Sequence, residues 1–258
     1  MNLDRLLDNL ADRLRTRGRL VRLPSDRPIV FVGDTHGDRE ATERVLARFS
    51  VPEHVIVFLG DVVDRGSDSP GNLELVLSEM IAHPSSIHLL MGNHEAWSVA
   101  PFSPADFWQS LPPGDAARIA DALSRLPLAA WHPAEVLAVH GALPDVPSLG
   151  AIDTIELGSQ AWRAITWGDW EGSPGGGLPS AGWRRPSFGS ADFNRRMEQL
   201  NARILVRSHQ PFAPTFLFDD RCLTLFTSCA YGDGVRRVAV LRPDRYAGTA
   251  RGLDLIDL

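Results

Sequence analysis

The sequence predicts an α/β fold that opens with a parallel sheet. A short apolar, β-branched run that stops abruptly at a polar cluster recurs five times along the chain. Amphipathic stretches of helical period separate the first three of these runs. With 258 residues, 44% of them hydrophobic, the chain is long enough to bury a sizeable core.

Taken in order, the N-terminal "MNLDRLLDNLADRLRTRGRL" has leucines at 3, 6, 7, 10 and 14 with charges between them. That is the period of an amphipathic helix and not the unbroken apolar core of a signal peptide. The first strand is "PIVFV", ending in "GDTHG" (28–37). A helix over 38–49 follows, with apolar residues at 41, 45, 46 and 49. "HVIVFL" then runs into "GDVVDRG" (54–66), and a second helix occupies 71–83. "SIHLLM" leads to "GNHE" (86–95), which completes a βαβαβ unit. Residues 100–126, rich in Pro, Ala and Asp, predict short helices over the site. "EVLAVH" (135–140) and "RILV" before "RSHQ" (203–210) are the fourth and fifth strands, and a helix over 191–201 precedes the fifth. "EGSPGGGLPSAG" (171–182) reads as a long loop. Three short segments, 215–220, 221–227 and 236–243, predict an antiparallel meander. With no linker evident, residues 1–258 are expected to form a single domain: 1–24 are a helix and lead-in, and 28–243 are the core.

Composition excludes several classes. A net charge of −6 supplies no basic stripe for nucleic acid and no attraction to anionic membranes. No apolar run reaches the length of a membrane span. Two cysteines, Cys222 and Cys229, are too few for a disulfide framework and point to a reducing compartment, so a cytoplasmic location is expected.

The five runs end in Asp34 (with His36 two residues on), Asp61, Asn93, His140 and His209. Carboxyl ends of strands form the rim where α/β sheets bind ligands. All these donors are O or N, suited to divalent metals of intermediate softness, and none is a thiolate. Each cluster alone has a plainer explanation. Gly-Asp is a turn dipeptide, and "GNHE" could be a helix start with Asn93 as cap and Glu95 in the first turn. Single histidines are more often satisfied, half-buried side chains. Recurrence after five apolar runs favours one shared metal site. Asp61 and Asp64 then have different tasks, one binding metal and the other orienting a histidine, while Arg65 offers charge to an anion. His54, His83, His88 and His132 lack such a setting and are read as surface or strand-flank residues. The tryptophans are expected to pack, with Trp167 and Trp170 beside Asp169 at the rim at most.

GDxHG, GDxVDRG and GNHE in this order, then HG and a late RxH, resemble the metallophosphoesterase superfamily. Within it, "LPLAAWHPAEVLAVHGALP", "ITWGDWEG", "RSHQ" and "LTLFTSCAYG" resemble the PPP-type serine/threonine protein phosphatases, over about residues 28–243. The compact length is similar to prokaryotic members. The resemblance implies an α/β/β/α fold, a central sandwich of mixed sheets flanked by helices. It implies two divalent ions, expected to be manganese with iron or zinc as alternatives. Asp34, His36 and Asp61 would hold one, and Asp61, Asn93, His140 and His209 the other. His94 would be the general acid, held by Asp64. Arg65, Arg207 and one of Arg184 and Arg185 would bind phosphate, with Asn93 and Tyr231 close by. The implied substrate is a phosphoserine or phosphothreonine protein or peptide, hydrolysed by a hydroxide shared between the metals. No nucleic-acid or membrane partner is expected, and a monomer is favoured. Serine's alkoxide is a strong base, so a proton donor such as His94 suits the reaction. A dinucleoside tetraphosphate hydrolase, or another nucleotide phosphoesterase, is the alternative. Met91-Gly92 replaces the family's Arg-Gly, Ala142 its second HGGL glycine, and Gly232 its toxin-reactive cysteine.

Overall fold

The computed structural model describes residues 3–14, 18–171, 185–232, 235–246 and 248–258. In chain order the elements are α1 (Leu3–Leu14), β1 (Leu20–Arg22), β2 (Ile29–Val32), α2 (Arg39–Arg48), β3 (Val55–Phe58), α3 (Ser69–Ala82), β4 (Ile87–Leu89), α4 (Asp106–Ser110), α5 (Pro113–Leu123), β5 (Ala129–His132), β6 (Val136–Val139), α6 (Gln160–Trp167), β7 (Asp169–Trp170), β8 (Ser187–Phe188), α7 (Ser190–Gln199), β9 (Ile204–Arg207), β10 (Phe216–Leu217), β11 (Cys222–Thr224), β12 (Arg237–Leu241) and β13 (Asp254–Asp257).

The apolar runs form two sheets. One has the order β13-β12-β2-β3-β4, with β2, β3 and β4 parallel, as the βαβαβ pattern requires. The other has the order β1-β5-β6-β9-β11-β10 and mixes both directions. The central strands β2, β3 and β6 are apolar throughout because both of their faces are covered. Ile29 and Phe31 of β2, Val55 and Val57 of β3, and Ala138, Val206 and Leu223 from the other sheet fill the layer between the sheets. The alternating residues, Val30, Val32, Ile56 and Phe58, pack outward with helix residues such as Leu73, Val76 and Leu77. The result is a β-sandwich with helices outside it.

Local chemistry sets the crossover helices. Asp38 caps α2 by accepting from Ala41 N at 3.2 Å, and Asp68 caps α3 by accepting from Gly71 N at 2.9 Å, with Pro70 in the first turn. The α1 leucines 6, 7, 10 and 14 are buried, as their spacing predicts.

Three expectations are corrected. The C-terminal meander does not form. β10 and β11 pair as a hairpin, but β12 crosses to the other sheet, antiparallel to β2 and to the unforeseen β13. Alternation marks a strand without saying which sheet will take its edge. His88 and His132 are buried strand residues, not surface ones. Trp170 is 1% exposed and packs against Phe188, Phe193 and Phe218, so it does not line the rim. Most of the segment read as a long loop, residues 172–182, lies outside the described residues. Cys222 and Cys229 are both free thiols.

Candidate active site

The ends of β2, β3, β4, β6 and β9 converge, and their backbones are bent to do so. His36, Asp61, Asp64, Arg65 and His209 adopt left-handed φ values of 46°, 54°, 67°, 74° and 72°. Side chains disfavour that region, and it recurs where a side chain must be aimed. Two glycines permit the close approach of the loops. A Cβ on Gly60 would sit 2.6 Å from Gly92 N, and one on Gly92 would sit 2.1 Å from Asp61 Oδ1. Glu95 clamps the two loops: it accepts from Asp61 N at 2.7 Å, Gly92 N at 2.9 Å and Val62 N at 2.8 Å. In the sequence Glu95 read only as a possible first-turn acid.

The histidines are oriented by carbonyls. Nδ1–H of His36 donates to Val63 O at 2.9 Å, and Nδ1–H of His140 donates to Leu59 O at 3.0 Å. A carbonyl only accepts, so each Nε2 presents a bare lone pair to the centre. Nε2 of His140 lies 3.2 Å from Asp61 Oδ2, 3.2 Å from Asn93 Oδ1 and 3.1 Å from His209 Nδ1. Nε2 of His36 lies 3.6 Å from Asp34 Oδ2, a buried oxygen with no hydrogen-bond partner, and 3.8 Å from Asp61 Oδ2. Two donor groups thus share Asp61: His36, Asp61 and His94 form one, and Asp61, His140 and His209 the other. Buried acceptors that face one another, together with an orphaned carboxylate oxygen, fit divalent cations. Without them, burial pushes Asp61 up to about 8 and Asp34 and Glu95 up to about 7, so protons take the place of positive charge.

His94, a member of the first group, is also tied away from the centre. Its Nδ1 is 2.6 Å from Asp64 Oδ2, and the other Asp64 oxygen accepts from Phe107 N at 2.8 Å. Trp108 Nε1 donates to His94 O at 2.8 Å, and the Phe102 ring packs edge-on at 4.6 Å. Burial, with Arg65, His140 and Arg185 adding repulsion, pushes the imidazole well below its ordinary range, and burial pushes Asp64 up. Nε2 of His94 is left facing Asp61 Oδ2 at 3.8 Å.

Two guanidinium groups flank the centre. Arg65 is partly exposed, anchored by donation to Pro104 O at 2.7 Å, and lies beside the Tyr231 phenol. Arg185 lies over Trp167, with Nη1 3.4 Å from His209 Nε2 and 3.7 Å from Asp169 Oδ1. Arg184 lies outside the described residues. Tyr231 is 38% exposed, its ring 5.5 Å from that of His36. The expectation that Arg207 binds phosphate is corrected. It is fully buried and donates to Ser208 O and the Gln210 side chain, so it orders the loop after β9 from within the core.

Asp169 was not singled out by sequence reasoning as a site residue. It is 4% exposed, with Oδ1 3.5 Å from His209 Nε2 and 3.7 Å from Arg185 Nη1, and that oxygen has no hydrogen-bond partner. Its only signal was its place in "ITWGDWEG". Ser208 was also missed. Its hydroxyl donates to Asp34 Oδ1, which ties the end of β9 to the end of β2.

Residues 27–212 match the family model for calcineurin-like phosphoesterase. A probable serine/threonine-protein phosphatase of Encephalitozoon cuniculi is 28% identical over 214 residues, covering 74% of this chain but only 44% of that protein. The catalytic subunit of serine/threonine-protein phosphatase 6 of Drosophila melanogaster is 28% identical over 235 residues, covering 81% of this chain and 73% of that one. The chain therefore spans less than half of the first relative and about three quarters of the second. Among solved structures, a protein serine/threonine phosphatase from Saccharomyces cerevisiae with similarity to human phosphatase PP5 superposes with a TM-score of 0.81 at 23% identity, covering 98% of this chain and 88% of the other. The ordered motifs, the two-sheet architecture and a family match over most of the chain agree: it belongs to the calcineurin-like phosphoesterase family.

Proposed function

We propose that the chain is a phosphoprotein phosphatase, one catalytic domain that hydrolyses phosphoserine and phosphothreonine monoesters with two divalent ions. The observation that carries this reading is Asp61 shared by two donor groups, one of which includes His94, itself bonded to Asp64. Asp34, His36 and Asp61 would hold one ion, and Asp61, Asn93, His140 and His209 the other. Manganese is the metal proposed, with iron or zinc also suited to an O/N donor set. Bound there, such ions supply Lewis acidity, which activates water and clamps phosphoryl oxygens for in-line displacement.

The chain's own residues do the rest. Arg65 and Arg185 neutralise the phosphate dianion with forked donors from either flank. With the phosphate dianion bound next to it and Asp64 behind it, His94 takes up a second ring proton and delivers it to the departing seryl or threonyl oxygen, whose basicity makes an unassisted exit slow. Glu95 holds the Asp61 turn in place, and Asp169 places negative charge beside Arg185 and His209. The named serine/threonine phosphatases among the relatives support a phosphoprotein substrate. Among the described residues no helix is long and apolar enough to cross a membrane. A cytoplasmic monomer is the setting we propose.

The test is hydrolysis by metal-stripped protein of a phosphoserine/threonine peptide, a phosphotyrosine peptide and diadenosine tetraphosphate, each with and without Mn²⁺, beside Asp61→Asn. Manganese-dependent phosphate release from the first peptide, lost in the variant, is expected. Cleavage of the dinucleotide alone would overturn the reading.

A further inference from the structure

Among the described residues the exposed large apolar side chains are Phe212, Tyr231 and Val235, at 59%, 38% and 54% exposure. They are not scattered. All three line one cavity of about 310 Å³, between the loop after β9, the end of β11 and the start of β12. An apolar cluster left in water beside a catalytic centre marks a contact surface.

The cavity is continuous with the active site. Tyr231 belongs to both, and Phe226, another lining residue, has its ring 5.9 Å from that of His36. Two ring-to-ring steps, 6.3 Å from Phe212 to Tyr231 and 5.5 Å from Tyr231 to His36, connect the far wall to the metal ligands. An extended peptide advances about 3.3 Å per residue, so it spans that interval in roughly two to four residues. Among the described residues the lining contains no carboxylate. Its one cation, Arg237, is paired with Asp257 through bonds of 2.7 and 3.3 Å. Among the described lining residues a charged side chain would find no unpaired opposite charge, whereas an apolar one would cover Phe212 and Val235.

We propose that this cavity receives an uncharged apolar side chain of the phosphoprotein substrate, a few residues from the phosphorylated one. Phe212 and Val235 thereby set sequence preference. This inference rests on the phosphoprotein reading above. It assigns the chain substrates with a hydrophobic residue near the phosphosite, in contrast to acidic or basic flanks.

The experiment uses manganese-loaded full-length protein and synthetic phosphothreonine peptides. Leu, Phe, Asp or Lys is placed in turn at each of the four positions on either side of the phosphoresidue, and diadenosine tetraphosphate is run in parallel. At one or two positions kcat/KM is expected to favour Leu or Phe over Asp by about tenfold or more, the scale of burying one apolar side chain. In Phe212→Ala and Val235→Asp that ratio should fall to about threefold or less. Taking the ratio within each protein cancels any general loss of activity. Peptides hydrolysed without apolar preference, or a preference unmoved by both variants, would overturn the inference and leave the phosphatase reading intact. No peptide turnover with cleavage of the dinucleotide would overturn both, and would make the cavity a base-binding site.

Discussion

The two sheets contribute unlike halves of the centre. The five-stranded sheet supplies the acids and the amide, Asp34, Asp61 and Asn93, with His36 and His94 on the same loops. The six-stranded sheet supplies His140 and His209. The first half spans residues 34–95 and is bound together locally, above all by Glu95 across the Asp61 and Gly92 turns. The second half is tied to the first by bonds that cross between sheets: His140 to Leu59 O, Ser208 to Asp34, and His209 N to Asp34 at 3.3 Å. One half is held by its own turns, whereas the full set of donors exists only when the sheets dock.

The largest effect should come from the residue both donor groups share. Asp61→Asn is expected to lower kcat by about 10³-fold or more, at least the loss seen when a single transition-state-stabilising group is removed. Elemental analysis should show the bound metal falling below two ions per chain; a fully loaded, active variant would remove Asp61 from its shared role.

His94→Asn should follow, and its effect should depend on the leaving group. About 10²- to 10⁴-fold is expected on a phosphoserine peptide, and far less on p-nitrophenyl phosphate, whose leaving group barely needs a proton. Equal losses on both substrates would mean that His94 acts through positioning or charge.

Substitutions at the supports sharpen the contrast between the halves. Glu95→Gln exchanges a carboxylate that accepts three backbone N–H bonds for an amide with one acceptor oxygen, and about 10- to 100-fold weaker metal binding is expected. Ser208→Ala removes the hydroxyl's two bonds to Asp34, one donated to Oδ1 and one accepted from Asp34 N at 2.8 Å, but Asp34 Oδ1 keeps His209 N as a donor, so a smaller loss is expected. Calorimetric titration with Mn²⁺ ranks the two, and the reverse order would place the weaker joint within the five-stranded half.

The smallest effect is one of pH. Burial raises Asp34, Asp61 and Glu95 to about 7, 8 and 7 in the metal-free protein. The site histidines are pushed down by burial and are neutral in the folded chain, while in the unfolded chain they are half protonated at about pH 6.5 and lose those protons by about pH 7.5. The folded metal-free chain keeps carboxyl protons that the unfolded chain lacks, and above about pH 7.5 no histidine protons offset them. Its stability therefore falls as pH rises through 8. Metal binds the ionised carboxylates and removes this penalty. The rise in Tm on adding Mn²⁺ should be several degrees larger at pH 8 than at pH 6.5, and a rise that shrinks with pH would contradict the assignment of protons to these carboxyls.

Asp34, His36, Asp61, Asn93, His140 and His209 were legible in the sequence because each follows an apolar run that can only be a buried strand. The crossover helices were legible because their apolar period and capping acids are local. Asp169, Ser208 and Glu95 were not legible as parts of the site, because they act through partners far away in sequence or through backbone groups that every residue has. Arg207 was misread for the same reason: an arginine two residues before a ligand looks the same whether it points to the centre or into the core.

The sequence by itself determined which segments become buried strands, where they stop, and that oxygen and nitrogen donors stand at those stops. These follow from local periodicity and turn chemistry. Only the tertiary structure decided that β12 joins the β2 side, that Arg207 is buried while Arg185 flanks the centre, and that Phe212, Tyr231 and Val235 share one cavity. Those outcomes depend on which faces meet when the two sheets pack, and that is a property of long-range contacts that no single segment encodes.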